Sequence, residues 1–247
     1  MNRRRVDSSE KENMKRFSVF NLRQVRGRLL SGVLAGLLCL GSAGCSEGRE
    51  ESRDPKIPKD YKVVAGTELC GGNAISVEAS RALELITGES RFEASAEEYT
   101  IARAADDVVN AYPDLNVGRQ DICGVYTPIG KPSFEIKISW DASPSPPTGS
   151  PASKFTELRM GERTVAAADK AMVFFSCRGT RLPDSLGLAH LIVMVQHWAV
   201  PREFEGDVKA LKDAYATVAH SVALAMAKEL RCEGNGGLPE KPVLDPV

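Results

Sequence analysis

The clearest indication of the fold is the segment Phe134-Glu135-Ile136-Lys137-Ile138-Ser139-Trp140. Its large apolar side chains alternate with polar ones, and successive side chains of a β-strand point to opposite faces, so the stretch predicts a strand with one buried face. Four further strands are predicted, at 121–126, 155–160, 171–177 and 188–198. The last two are apolar on both faces, which predicts that they lie in the middle of a sheet.

Helices are predicted on either side of these strands in the sequence. Ser76 is a suitable N-cap for a helix that ends at Gly88. Ser95-Ala96-Glu97-Glu98 has the pattern of a capping box and predicts the start of a second helix, which Pro113 would close. A third, long amphipathic helix is predicted near the C-terminus from apolar residues at alternating spacings of four and three: Phe204, Val208, Leu211, Tyr215, Val218, Val222 and Ala225.

The order of these elements indicates the fold class. Helices and sequential strands without regular βαβ alternation predict an α+β fold, with a mostly antiparallel sheet and helices packed on one face. We expect one such domain at 63–240, followed by a tail at 241–247. The Pro- and Ser-rich segment 141–151 predicts a loop inside this domain, because neither flank looks self-sufficient.

Four cysteines fall in the predicted domain: Cys70, Cys123, Cys177 and Cys232. An even number in an exported chain predicts two disulfides. Four cysteines allow three pairings, and the pairing in sequence order closes two loops of similar length and would join a strand end to a helix end through the second bridge. Metal ligands lie closer together in sequence than these cysteines do, so we expect no metal site.

The N-terminal segment has the features of an export signal. Residues 1–44 contain nine Lys/Arg and three Asp/Glu, and an apolar run begins at Leu29. A basic region followed by a short apolar region predicts a signal peptide over 1–44. Met14, which precedes Lys15 and Arg16, is an alternative start.

The end of this segment predicts a lipid anchor. The bacterial lipobox resembles the segment Leu40-Gly41-Ser42-Ala43-Gly44-Cys45-Ser46, in which Ser42 stands where an aliphatic residue is usual. The resemblance implies a diacylated Cys45 at the mature N-terminus, and two acyl chains are sufficient for stable anchoring. Secretory cleavage without lipid and an uncleaved signal anchor are the alternatives, and all three place the domain outside the cytoplasm. Residues 45–62, with Pro55 and Pro58, would then carry the anchor and a solvated tether.

Composition limits the partners. The chain has 247 residues, 43 % hydrophobic and 26 % charged, and residues 45–247 carry 23 Lys/Arg against 30 Asp/Glu. An acidic domain argues against a nucleic-acid partner. The one long apolar run, 29–44, is shorter than the roughly 20 residues of a membrane span, which argues against a multi-span membrane protein.

The sequence contains no Gly-x-Ser-x-Gly, no His-Glu-x-x-His, no phosphate loop and no Gly-x-Gly-x-x-Gly, and we expect no cofactor. His190 and His197 are seven residues apart on one predicted strand and therefore face opposite sides. The two tryptophans each lie near a strand end. If they reach one sheet edge, Trp140 and Trp198, with His190 and His197, form a candidate groove for an apolar ligand or a glycan.

The contexts of the cysteines also carry a family resemblance. Four segments are similar to uncharacterised secreted lipoproteins of actinobacteria: Glu68-Leu69-Cys70-Gly71-Gly72, 121–126, 227–232 and 236–239. The resemblance covers most of residues 45–240 and implies a cell-surface location. It implies no activity and no catalytic residue.

These observations predict a lipid-anchored, extracytoplasmic binding module for an envelope protein or another envelope component, located at the cell membrane, or secreted if Cys45 carries no lipid. Two alternatives remain open. One is a carrier of an apolar ligand between sheet and helices, suggested by the apolar run Leu191-Ile192-Val193-Met194-Val195. The other is an envelope hydrolase that uses His190 or His197 with an acidic residue.

The lipid anchor can be tested by mass. We expect the chain from the membrane fraction to begin at Cys45 and to carry a diacylglycerol, and Cys45→Ser to lose that mass, because the acylated thiol is removed. Intact mass spectrometry of both forms measures this. An unlipidated wild-type chain in the medium, or a mass that still includes 29–44, would contradict the prediction.

Overall fold

The computed structural model describes residues 58–112, 118–131, 134–183, 187–198 and 206–247. The predicted signal peptide, Cys45 and most of the tether lie outside these residues. The strands are β1 (Val63–Ala65), β2 (Arg91–Glu93), β3 (Gln120–Tyr126), β4 (Glu135–Ser143), β5 (Thr156–Leu158), β6 (Arg163–Ala167), β7 (Lys170–Cys177) and β8 (Ala189–His197). The helices are α1 (Val77–Thr87), α2 (Ile101–Ala111) and α3 (Val208–Glu229), with 3-10 segments at Gly66–Gly71 and Glu233–Gly237.

The main sheet has six strands in the order β3-β4-β8-β7-β6-β5, and every neighbouring pair is antiparallel. Strands β1 and β2 form a separate antiparallel pair. The apolar segments around 171–177 and 188–198 are the inner strands β7 and β8, as predicted from their two apolar faces. The predicted α+β class is therefore confirmed.

The core lies between the sheet and α3. Ile136, Ile138 and Trp140 of β4 are buried, and they point to the same side as their register partners on β8 and, beyond them, β7. Helix α3 packs against this side, and α1 and α2 pack against α3. Contacts on several sides of α3 bury more of its surface than the predicted apolar stripe, including a set of small residues: Ala214, Ala216, Ala219, Ala223 and Ala227.

The two disulfides pair in sequence order. Cys70 bonds to Cys123, and Cys177 bonds to Cys232. Cys177 is the last residue of β7, and Cys232 follows the end of α3, so this bridge fastens helix to sheet. Cys70 lies in the 3-10 segment before α1 and ties that segment to β3.

The start of the second helix differs from the prediction. Helix α2 begins at Ile101, capped by Thr100, whose side chain accepts a hydrogen bond from the Arg103 N–H at 3.1 Å. Ser95 is not a helix cap, because its Oγ accepts a hydrogen bond from the Cys70 N–H at 3.0 Å. The residues between β2 and α2 thus form an irregular connection instead of a first helical turn.

Several strand boundaries also differ from the prediction. β6 pairs with β7 through a short connection and was not predicted, nor were the three-residue strands β1 and β2. β4 continues to Ser143, which pairs with His190, so the predicted loop begins after 143 rather than at 141.

The predicted tail pairs with the edge of the sheet through a bridge between Pro246 and Leu158, and the Val247 N–H donates to the Glu157 carbonyl at 3.0 Å. Residues 241–247 therefore belong to the domain.

None of the helices in the described ranges is long and apolar enough to cross a membrane.

The bridge between β7 and α3 should make a large contribution to stability. Replacing Cys177 and Cys232 together by Ala is expected to lower the free energy of unfolding by about 4 kcal/mol, the chain-entropy value for a loop of this length. Urea denaturation of the full chain measures this, with Arg178→Ala, an exposed neighbour of Cys177, as the control. A loss below about 1 kcal/mol would contradict the assigned role.

Candidate functional site

The four residues of the predicted groove do not come together. Trp140 is 2 % exposed and belongs to the core, whereas Trp198 is 55 % exposed. Trp198 follows β8 beside Glu135, on the opposite face of the sheet from Trp140. The structure therefore does not bring the two tryptophans together, because an odd number of positions in the β-register separates them.

The two histidines also separate, as predicted from their spacing. His197 pairs with Ile136 on the core side, and its ring lies 4.4 Å from the ring of Phe134. His190 lies on the other side, where its Nδ1 is 2.8 Å from Oε1 of Glu162. Both members of this pair are largely buried, and Oε2 of Glu162 has no hydrogen-bond partner within the described ranges.

The surroundings of His190 bear on the hydrolase alternative. Ser143 and Ser176 are its direct neighbours on the adjacent strands. The Ser143 hydroxyl donates to the Ser145 carbonyl at 2.7 Å, so it is engaged away from the imidazole. A histidine and a carboxylate activate a serine only when its hydroxyl is in hydrogen-bond reach. The hydrolase alternative therefore stays a prediction from the sequence.

The third histidine is structural. His220 is buried on α3, and its Nε2 lies 2.8 Å from the Pro239 carbonyl oxygen. Burial lowers the pKa of the imidazole, against the opposing effect of this hydrogen bond. We conclude that His220 holds the segment after α3 against the helix.

A cavity of about 330 Å³ opens at the β3–β4 end of the sheet, on the face turned away from α3. We call it the β3–β4 pocket. Its residues come from two adjacent strands and from the connection between β2 and α2: Glu93, Ala94, Ser95, Ala96, Tyr99, Asp121, Cys123, Gly124, Tyr126, Glu135 and Lys137. The volume is within the range of small-ligand sites.

The floor of the β3–β4 pocket is an aromatic ring held in place from two sides. The ring of Tyr126 lies across Gly124, where an added Cβ would be 2.5 Å from the ring. The Tyr126 hydroxyl donates to Oε1 of Glu135 on the paired strand at 3.3 Å. Tyr126 is nevertheless 42 % exposed, so one ring surface remains open to the pocket.

The wall of the β3–β4 pocket is the connection 93–99. The Ala94 N–H donates to the Lys62 carbonyl at 2.9 Å, and the Cys70 N–H donates to Ser95 Oγ. The Cys70–Cys123 disulfide joins the 3-10 segment that holds this wall to the strand that forms the floor. Wall and floor are thus fixed relative to each other by a covalent bond and two hydrogen bonds.

Exposed aromatic side chains gather at this place. Tyr99, 45 % exposed, and Tyr126 line the pocket. Trp198 lies beside it, with the Lys137 ammonium 3.5 Å from its ring centroid. Within the described ranges, these are the three aromatic residues with exposed side chains. Exposed aromatic residues are enriched where proteins bind, so their grouping makes the pocket a candidate binding surface.

The charges around the β3–β4 pocket are mainly negative. Three carboxylates, those of Glu93, Asp121 and Glu135, line it with one ammonium, that of Lys137. The pKa of the Tyr126 hydroxyl is raised above its ordinary value, first by burial and then by the negative charge and hydrogen bond of Glu135 and the charge of Asp121.

Two further cavities lie at the opposite side of the sheet, beside α3. One, of about 260 Å³, is bordered by the edge strands β5 and β6, the first turns of α3 and Leu244. The other is a more open groove of about 500 Å³ between α1, α3 and Leu244. Val173, Phe175 and Val195, on the central strands, are fully buried. The two cavities beside α3 are the places to which the apolar-carrier alternative points.

Within the described ranges, His, Cys, Asp and Glu side chains do not converge in a group that could hold a metal ion. Comparisons of the chain with family models, with curated proteins and with solved structures found no match.

Sequence reasoning missed the β3–β4 pocket. The sequence predicts the strand that contains Gly124 and Tyr126. It also predicts a helix start at 95–98, and this places Tyr99 in a helix instead of in the wall of a pocket. One signal was present: Gly124 inside a predicted strand, two residues before Tyr126 on the same face, often marks a close approach of another group.

The electrostatics of Tyr126 can be tested by titration. The Glu135→Gln variant should lower the pKa of Tyr126 part of the way toward its ordinary value of 10.0, because the charge is lost while burial remains. A pH titration followed by NMR of the labelled tyrosine ring measures this. Glu84→Gln, an exposed carboxylate on α1, is the control. An unchanged Tyr126 pKa in Glu135→Gln would contradict the contact.

Proposed function

We propose that this chain is an exported, lipid-anchored binding module that binds an envelope component in the β3–β4 pocket. The observation that carries the proposal is the grouping of Tyr99, Tyr126 and Trp198 around one cavity of about 330 Å³. Large aromatic groups left in water at a concave surface are unfavourable unless a ligand covers them.

Export is supported by two independent features. Two disulfides in the domain suit an oxidising compartment, where such bonds persist. The basic and apolar N-terminal segment and the lipobox-like Cys45 suit a lipoprotein signal. The resemblance to secreted actinobacterial lipoproteins suits the same location.

The position of the pocket is compatible with this assignment. The wall of the β3–β4 pocket is hydrogen-bonded to Lys62, next to the first described residues of the chain. A tether of the predicted length would therefore enter the domain beside the binding site.

The proposal predicts that retention by envelope material depends on the β3–β4 pocket. We expect Tyr126→Ala and Tyr99→Ala each to reduce co-sedimentation of the full chain, in detergent, with washed insoluble envelope from the source cells. The reduction should be about fivefold to tenfold, the usual effect of removing a central aromatic contact. Detergent removes the contribution of the acyl chains.

The matched control is Leu85→Ala, because Leu85 is similarly exposed but lies on α1 in the groove beside α3. Its retention should equal that of the wild type. If both tyrosine variants sediment like the wild type, the β3–β4 pocket is not the binding site. If Leu85→Ala alone loses retention, the groove beside α3 is the binding surface instead.

A further inference from the structure

The β3–β4 pocket combines an aromatic platform with an excess of negative charge. We propose that its ligand carries an alkylammonium group, which binds against the ring of Tyr126; this inference rests on the proposed function and specifies the ligand. Cations are attracted to the face of an aromatic ring by its quadrupole. Three observations support this choice of ligand chemistry.

First, the platform is preorganised. Gly124 lets the Tyr126 ring lie against the strand, and the bond to Glu135 fixes its hydroxyl. A ligand that stacks on this ring does not have to immobilise it, which reduces the entropic cost of binding. Tyr99 lines the same cavity and offers a second aromatic group.

Second, the charges favour a cation. The carboxylates of Glu93, Asp121 and Glu135 line the pocket against the single ammonium of Lys137. An anion would be repelled by this excess. A neutral ligand could stack on Tyr126 but would leave the carboxylates without a charged partner, whereas a cation interacts with both features.

Third, the same corner of the molecule already holds a cation on an aromatic face. The Lys137 ammonium lies 3.5 Å from the centroid of Trp198. This ammonium lies on the Trp198 ring, and the Tyr126 hydroxyl is bonded to Glu135. A cation on the Tyr126 ring would repeat this arrangement with an external group.

The test compares a cation with its neutral isostere. The full chain in detergent is titrated with choline, with ethanolamine and with 3,3-dimethylbutan-1-ol, which has the shape of choline without its charge, and affinity is measured by ligand-observed NMR. We expect choline or ethanolamine to bind about tenfold more tightly than the neutral alcohol, the magnitude of a partly desolvated cation–π contact. Their ranking distinguishes a quaternary from a primary ammonium source.

Variants separate the two features of the site. Tyr126→Ala should weaken binding of the cation about tenfold, and Tyr126→Phe, which keeps the ring, should stay within about twofold of the wild type. Glu135→Gln should weaken it and reduce its sensitivity to salt. Glu84→Gln, far along the sequence on α1, is the charge-matched control and should bind like the wild type. Thermal melting of each variant confirms that the fold is retained.

The outcomes distinguish this inference from the proposed function. Equal binding of choline and the neutral alcohol would overturn the alkylammonium assignment. Tyr126-dependent binding of a neutral glycan probe, chitotriose, without binding of either ammonium would also overturn it while leaving the pocket as a binding site. If no probe binds and Tyr126→Ala also leaves envelope retention unchanged, both proposals fail.

Discussion

Helix α3 packs against strands β7, β6 and β8, and the positions of the other helices depend on this contact. The side chains of β7 on this face are fully buried, and the Cys177–Cys232 bridge holds the end of the helix to the end of β7. Because α1 and α2 pack on α3 rather than on the sheet alone, the orientation of α3 also determines the orientations of α1 and α2. The face of β3 and β4 turned away from α3 is left available for a site.

The β3–β4 pocket illustrates how that available face becomes a built site. A strand face alone is flat, and a cavity requires a wall. The connection 93–99 supplies it, held by Ser95 and by the disulfide that links Cys70 to the floor strand. The two disulfides therefore have different roles. The Cys177–Cys232 bridge stabilises the core, and the Cys70–Cys123 bridge fixes the geometry of the pocket.

The fold was largely predictable because its strongest signals are local. Alternation in β4, the apolar segments of β7 and β8, and the Ser76 and Gly88 helix boundaries each arise from side chains near in sequence.

The site was much less predictable. Trp140 and Trp198 both lie near strand ends, but the register places them on opposite faces, and Ser95 bonds to Cys70, 25 residues away in sequence, instead of capping a helix.

The α+β class, the central position of β7 and β8, and the cysteines available for pairing can be predicted from the sequence alone, because periodicity and composition are properties of a short stretch. The cysteine pairing, the burial of Trp140 but not of Trp198, and the placement of Tyr99 and Tyr126 in one pocket emerge only in the tertiary structure. Those outcomes depend on strand register and on contacts between distant segments. A shift of one residue in the register would exchange the faces and bury Tyr126 in place of Val125.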